Sequence, residues 1–164
     1  ARVVAVDGSR QVQMGDAAAP AESGATALGL RVAEQLLALG AADLVDLTAP
    51  KIVGDFLLTR PRDILYQMAK SRRLWDRRIA VLATFSFLRV GQFKDTLQLC
   101  EILISDSHDL MHKACGWMLR ELGKRDLTAL EQFLKKYSRV MPRTMLRYAI
   151  EKMEEGKRKE WLRK

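Results

Sequence analysis

Apolar residues recur at three- and four-residue spacings through most of this chain, and they alternate only near its start. Val3, Val4 and Val6 form a β-branched run, Asp7-Gly8-Ser9 has turn chemistry, and Val12 and Met14 alternate with Gln11 and Gln13. The pattern predicts a β-hairpin over 2–6 and 10–14. Residues 15–23 read as a loop. A helix is predicted from about Ala25 to Leu39, with Leu28, Val32, Leu36 and Leu39 on one face and Gly40 as its stop. A two-stranded ribbon is marginal alone, so this ββα element must pack on the residues C-terminal to it.

From Leu47 onward the pattern is helical throughout. Helices are predicted over 48–58, 61–71, 74–90, 93–104, 109–124, 126–138 and 142–154, followed by a charged tail carrying Trp161 and Leu162. Thr48 precedes the first and Pro61 opens the second. Gly91 ends the third, Asp106 or Ser107 caps the fifth, Asp126 caps the sixth, and Pro142 starts the seventh. Shorter helices alternate with longer ones at about 32–35 residues per pair, which predicts stacked helical hairpins of the HEAT type. The expected fold class is therefore mainly α, an α-solenoid with a small N-terminal ββα element. Residues 1–43 would be the cap and 44–164 the repeat array, fused as one globular unit.

Charge sharpens this division. Residues 1–50 carry three bases against six acids, whereas 51–164 carry 25 bases against 14 acids, for a net charge of +8. The basic excess suits an anionic partner, duplex DNA first, or else a solvated helical surface. On the longer helices of each pair stand Arg77, Arg78, Lys113, Arg120, Arg143 and Arg147. A row of bases on the inner face of a solenoid would track a phosphate backbone. Some would instead pair with Asp76, Glu121 and Glu151. Cys100 and Cys115 sit among apolar residues and read as reduced core thiols. His108 and His112 lack the glutamate of a zinc-protease helix, so no metal is expected. No apolar run of membrane length and no signal-type start is present, which predicts a cytoplasmic protein or a recombinant one.

Four motifs carry a resemblance. They are Asp43-Leu44-Val45-Asp46 with the residues to Gly54, Leu74-Trp75-Asp76-Arg77-Arg78, His112 to Glu121, and Met141-Pro142-Arg143 with the residues to Lys152. In this order they resemble the AlkD-like DNA alkylation repair family over residues 43–163. The resemblance implies a HEAT-like DNA glycosylase acting on N3- and N7-alkylated purines without drawing the base fully into a pocket. It implies catalytic roles for Asp46, Arg78 and Trp117, while the row of bases itself gives Arg77, Lys113, Arg120, Arg143 and Arg147 as the candidate DNA contacts. The three catalytic candidates each have a plainer alternative: a helix N-terminal acid, an ion-pair partner of Asp76 or a neighbour, and a core indole. The family pattern has a tryptophan four positions before the acid, where this chain has Ala42.

Residues 1–43 resemble another family. Val3 to Val12, and Leu28-Gly29 with Ala33-Glu34, Leu36-Leu37 and Gly40-Ala41, are similar to the C-terminal domain of hydroxymethylbilane synthase. That family attaches its cofactor to a cysteine, and residues 1–43 hold none. Both parents would be truncated and joined without a linker. The expectation is thus an engineered chimera with no physiological activity, no cofactor, and a monomeric or weakly dimeric state. The alternative is a residual DNA-binding module or weak glycosylase. A protein-interaction array is the third reading.

Overall fold

The computed structural model describes residues 2–4, 11–13 and 42–163. The chain divides into two compact units, Ala1–Thr48 and Ala49–Lys164. In the first, β1 (Arg2–Val4) pairs antiparallel with β2 (Gln11–Gln13), placing Val3 opposite Val12. The turn expected at 7–9, the loop at 15–23 and the helix over 25–39 lie outside the described residues, so the ββα element is not established. Helix α1 (Ala42–Ala49) runs through the end of this unit at Thr48.

The helix predicted over 48–58 is different in kind. The chain is already helical from Ala42, Thr48 lies inside α1 rather than before a helix, and a π-helical turn follows over Pro50–Gly54. Proline explains the change of winding: Pro50 has no N–H to continue the α-helical ladder. The Asp55 N–H instead reaches back five residues to the Pro50 carbonyl, the π-type bond. The same carbonyl accepts from Ser86 Oγ at 2.8 Å. Gly54 then lets this turn lie against the next long helix, since a Cβ there would collide with the Ala83 carbonyl oxygen.

The second unit continues with α2 (Asp63–Ala69), α3 (Leu74–Arg89), α4 (Lys94–Ile102), α5 (Asp109–Gly123), α6 (Leu127–Tyr137), α7 (Arg143–Ala149) and α8 (Glu155–Arg163). It has two layers. The π-turn, α3, α5 and α7 stack in order as the inner layer, while α2 and α4 lie on α3, and α4 and α6 on α5. Inner helices are apolar on more than one side: Ala80, Val81, Leu82, Ala83, Phe87 and Leu88 of α3 are all fully buried. Cys100 and Cys115 are buried free thiols. Burial first, then Cys115, pushes the Cys100 thiol up from its ordinary range. The charged tail forms α8, with Trp161 buried, and the helix predicted to run to 154 stops at Ala149.

Caps explain the boundaries. Asp126 accepts from the Ala129 N–H at 2.9 Å, and Gly91 ends α3 at φ 76°. The sequence predicts the cap of α5 at Asp106 or Ser107. His108 holds it instead, Nδ1 accepting from the Leu110 N–H at 3.3 Å. The Asp106 carboxylate is taken by Arg77. On the outer layer, the Arg62 guanidinium lies 3.7 Å from the Phe87 ring centre. It donates to Asp95 at 2.6 Å and to the Leu57 and Leu58 carbonyls at 3.2 and 3.0 Å. Tyr66 OH shares Asp95 at 2.8 Å, and burial followed by that hydrogen bond pushes its phenol well up from the ordinary range. This network ties the end of the π-turn region to α2 and α4.

Helices α5 and α7 approach closely at Gly116 of α5. A Cβ there would stand 2.5 Å from Tyr148 Cβ and 2.6 Å from the Met145 carbonyl oxygen of α7. Gly116→Ala is therefore expected to destabilise the protein by about 1–3 kcal/mol, the range for overpacking. A lowered urea midpoint with an unchanged slope would show this, and a midpoint at or above the parent value would refute it.

Candidate nucleic-acid interface

Helical spacing places several of the candidate residues on one side of the inner layer. Arg78 and Phe85 are two turns apart on α3, and Lys113, Trp117 and Arg120 follow at i, i+4 and i+7 on α5. Thr144, Arg147 and Tyr148 stand on α7. The Gly116 contact brings α7 close enough for direct pairing across the helices.

Arg78 is buried, at 7% exposure, and its Nη1 donates to the Leu110 carbonyl in the first turn of α5. A guanidinium so anchored is a fixed charge rather than a swinging one. Arg77 is differently employed. Its Nε donates to Asp106 at 2.6 Å, and its Nη1 donates to the Ser71 and Arg72 carbonyls at 3.0 Å each. Asp106 also accepts from the His108 N–H at 2.9 Å, and its carbonyl meets His112 Nε2 at 2.5 Å. Arg77 thus staples the loop before α3 to the loop before α5. Asp76, the anticipated partner of Arg78, receives Ser71 Oγ at 2.6 Å and Arg73 Nε at 3.2 Å.

Lys113 Nζ lies 2.7 Å from the Asp109 carboxylate, one turn earlier on α5. Lys113 first, then Thr144 of α7 by a hydrogen bond, holds that carboxyl below its ordinary range. The Lys113 ammonium is held above its own by Asp109, and Tyr148 and Arg78 also act on its charge, in opposite directions. Arg120 pairs with Glu151 beyond α7, and Glu151 also lies 3.4 Å from Lys152 Nζ. Arg120 leads the causes that keep the Glu151 carboxyl low. Both carboxylates therefore stay charged at neutral pH. The stability of these pairs is complete above the unfolded carboxylate range and is lost as pH falls through the lowered folded values. Arg143 is exposed and donates to the Leu162 carbonyl of α8 at 3.0 Å. Arg147 is exposed, with no ion-pair partner among the described residues.

Trp117 is half-buried. Its ring centre lies 6.4 Å from that of Phe85, at 40° between planes. No sequence motif singles out Phe85, although its position seven residues after Arg78 puts it on the same face. The Arg125 guanidinium approaches Phe85 to 5.8 Å. Arg125 is held by the Glu121 carbonyl at 2.7 Å and its carboxylate at 3.5 Å, and the same buried carboxylate takes Lys124 at 2.6 Å. Asp46 belongs to the first unit, on α1, where it is half-buried. Among the described residues no group of three or more His, Cys, Asp or Glu side chains is placed to hold a metal ion. None of the described helices is long and apolar enough to cross a membrane.

The profile of the family described as DNA alkylation repair enzyme matches residues 1–153, and the chain belongs to that family. No curated protein matches the chain. The family match begins at the first residue and crosses 43–46 unbroken. It lends no support to a chimera or to a hydroxymethylbilane synthase parent for residues 1–43.

If Phe85 orients the indole, Phe85→Leu will shift tryptophan emission to longer wavelength as Trp117 gains water. The shift should vanish in a Trp117→Phe background. An equal shift in that background would assign it to Trp75 or Trp161 and remove Phe85 from the site.

Proposed function

We propose that this member of the DNA alkylation repair enzyme family binds duplex DNA along the α3–α5–α7 side and releases N3- or N7-alkylated purines. One observation carries the reading: Trp117 and Phe85 form an aromatic pair on the same side of the inner layer as Arg78 and Lys113. Aromatic rings beside bases suit a sugar–phosphate backbone that develops positive charge at the sugar. The alternating two-layer stack is read as HEAT-like, the inner helices offering that side to the duplex.

In this reading the bond from C1′ to the purine nitrogen breaks heterolytically. Its electron pair goes to the base and cancels the positive charge placed there by alkylation, so the leaving group needs no proton. The Asp46 carboxylate stabilises the cationic sugar and orients the water whose oxygen then bonds C1′. That water's proton passes to the carboxylate or to solvent. Arg78, fixed by the Leu110 carbonyl, sets a positive charge for the flanking phosphate. With Ala42 where the resemblance calls for a tryptophan, Phe85 is the second aromatic ring beside Trp117.

The test is single-turnover release of 7-methylguanine from methylated duplex DNA. Wild-type protein should exceed the spontaneous rate, and Asp46→Asn should lower that rate by roughly 100-fold or more, the low end for a lost acid–base group. Release no faster than without protein would end the glycosylase reading. Undiminished release by Asp46→Asn would remove the carboxylate from its role.

A further inference from the structure

We infer that Asp109 and Glu151 compete within the protein for the bases that would hold DNA phosphates, and so keep its affinity for duplex of any sequence low. The inference rests on the proposed DNA-binding side and concerns its regulation. Acid–base pairs in the second unit fall into two kinds. Arg77–Asp106 is enclosed, with side chains 16% and 6% exposed, and it also binds two backbone carbonyls. Glu121, 10% exposed in its side chain, is likewise enclosed among Arg120, Lys124 and Arg125. Opening such pairs would leave a buried charge without compensation.

Asp109 and Glu151 are of the other kind. The Lys113–Asp109 pair has side chains 41% and 55% exposed, and Glu151 is 42% exposed where it meets Arg120, whose own side chain is 19% exposed and also lies 3.7 Å from Glu121. Lys113–Asp109 is open to solvent on both sides and Arg120–Glu151 on the carboxylate side, and pairs so wetted contribute less and exchange more readily than enclosed ones. A phosphate can therefore take Lys113 or Arg120 from its carboxylate. The displaced carboxylate does not leave, however. Asp109 is tethered one turn from Lys113 and reaches Thr144, and Glu151 keeps Lys152 beside it. Each stays within about a Debye length, roughly 8 Å at physiological salt, of the incoming phosphate and repels it. Two of the bases on this side thus bind DNA only against a resident anion.

The experiment measures binding of an undamaged duplex by fluorescence anisotropy across a salt series. It compares wild type, Asp109→Asn, Glu151→Gln and the double variant. Glu101→Gln serves as the charge-matched control, because Glu101 pairs with Lys136 at 3.5 Å on the outer layer. The double variant should bind roughly tenfold more tightly at low salt. Its plot of log affinity against log salt should be steeper by about 2, since each freed base adds close to 0.9 to the slope. Each single variant should show about half of that change, and Glu101→Gln should keep the wild-type slope. Unchanged affinity and slope in the double variant would overturn the inference while leaving DNA binding intact. Equal tightening by Glu101→Gln would overturn it as well, assigning the effect to net charge. A wild-type protein that does not bind duplex at all would take down the proposed function together with this inference.

Discussion

The contact at Gly116 governs the interface. Without a side chain at this position, the backbone of α5 can lie against Met145 and Tyr148 of α7. Protein interiors are packed to near-crystalline density, so the missing methyl is used for helix approach and not left as a void. The cross-helix contacts on that side depend on the distance so set. Glu151 reaches Arg120, and Thr144 and Tyr148 stand near enough to act on the Asp109 and Lys113 charges. Gly54 performs the same service where the π-turn meets α3. The inner layer is thus drawn together at two glycines, one on either side of the α3–α5 pair.

Charge on this layer is graded by depth. Carboxylates at the loops and in the interior, Asp106 and Glu121, are enclosed and gather several donors each. They act as mortar: Asp106 joins two interhelical loops, and Glu121 holds the turn after α5. Carboxylates at the rim, Asp109 and Glu151, take one strong partner and remain wet. The basic excess of the sequence therefore overstates the free positive charge of this side. Of the six bases proposed for DNA, Arg147 alone is both exposed and without an ion-pair partner or hydrogen bond among the described residues.

The helical part of the fold is legible in the sequence because its amphipathic spacing is strong. Six helices from α2 to α7 lie within the predicted spans, and Asp126 and Gly91 act as their chemistry foretells. Other features are hidden for identifiable reasons. Pro50 looks like a helix start, yet it sits where an existing helix changes its winding. Histidine is an uncommon cap, and Asp106 would be the better candidate were its carboxylate not held by Arg77, 29 residues away. Partners so remote in sequence leave no local trace. The same holds for Arg120 with Glu151 and for Phe85 with Trp117, each 31 or 32 residues apart across neighbouring inner helices. The charge contrast between the two ends of the chain is real, but the family match gives no support for reading it as a change of parentage. The family match across residues 1–153 shows that composition can shift inside one family's sequence.

Arg78 and Arg77 show why residue type alone misassigns a site. They are adjacent in sequence, and a helix turns neighbours about 100° apart, so their side chains enter different surroundings. Arg77 falls at the loop edge and is consumed by Asp106 and two backbone carbonyls. Arg78 falls toward α5, where the Leu110 carbonyl takes one of its nitrogens. That bond joins α3 to the first turn of α5. The guanidinium is planar and carries its N–H donors in a rigid fork, so holding one nitrogen restricts the directions open to the others. A lysine ammonium, free to rotate on a flexible stem, would not be oriented by a single carbonyl in this way. Bidentate recognition of a phosphate needs such a plane set in advance, since two N–H bonds must meet two oxygens at once. Arg77 has spent its fork on the loops of the fold, whereas Arg78 is buried against the Leu110 carbonyl on the helix face shared with the Phe85–Trp117 pair. One turn angle within a single helix thus separates an arginine that joins two loops from one anchored to the first turn of α5.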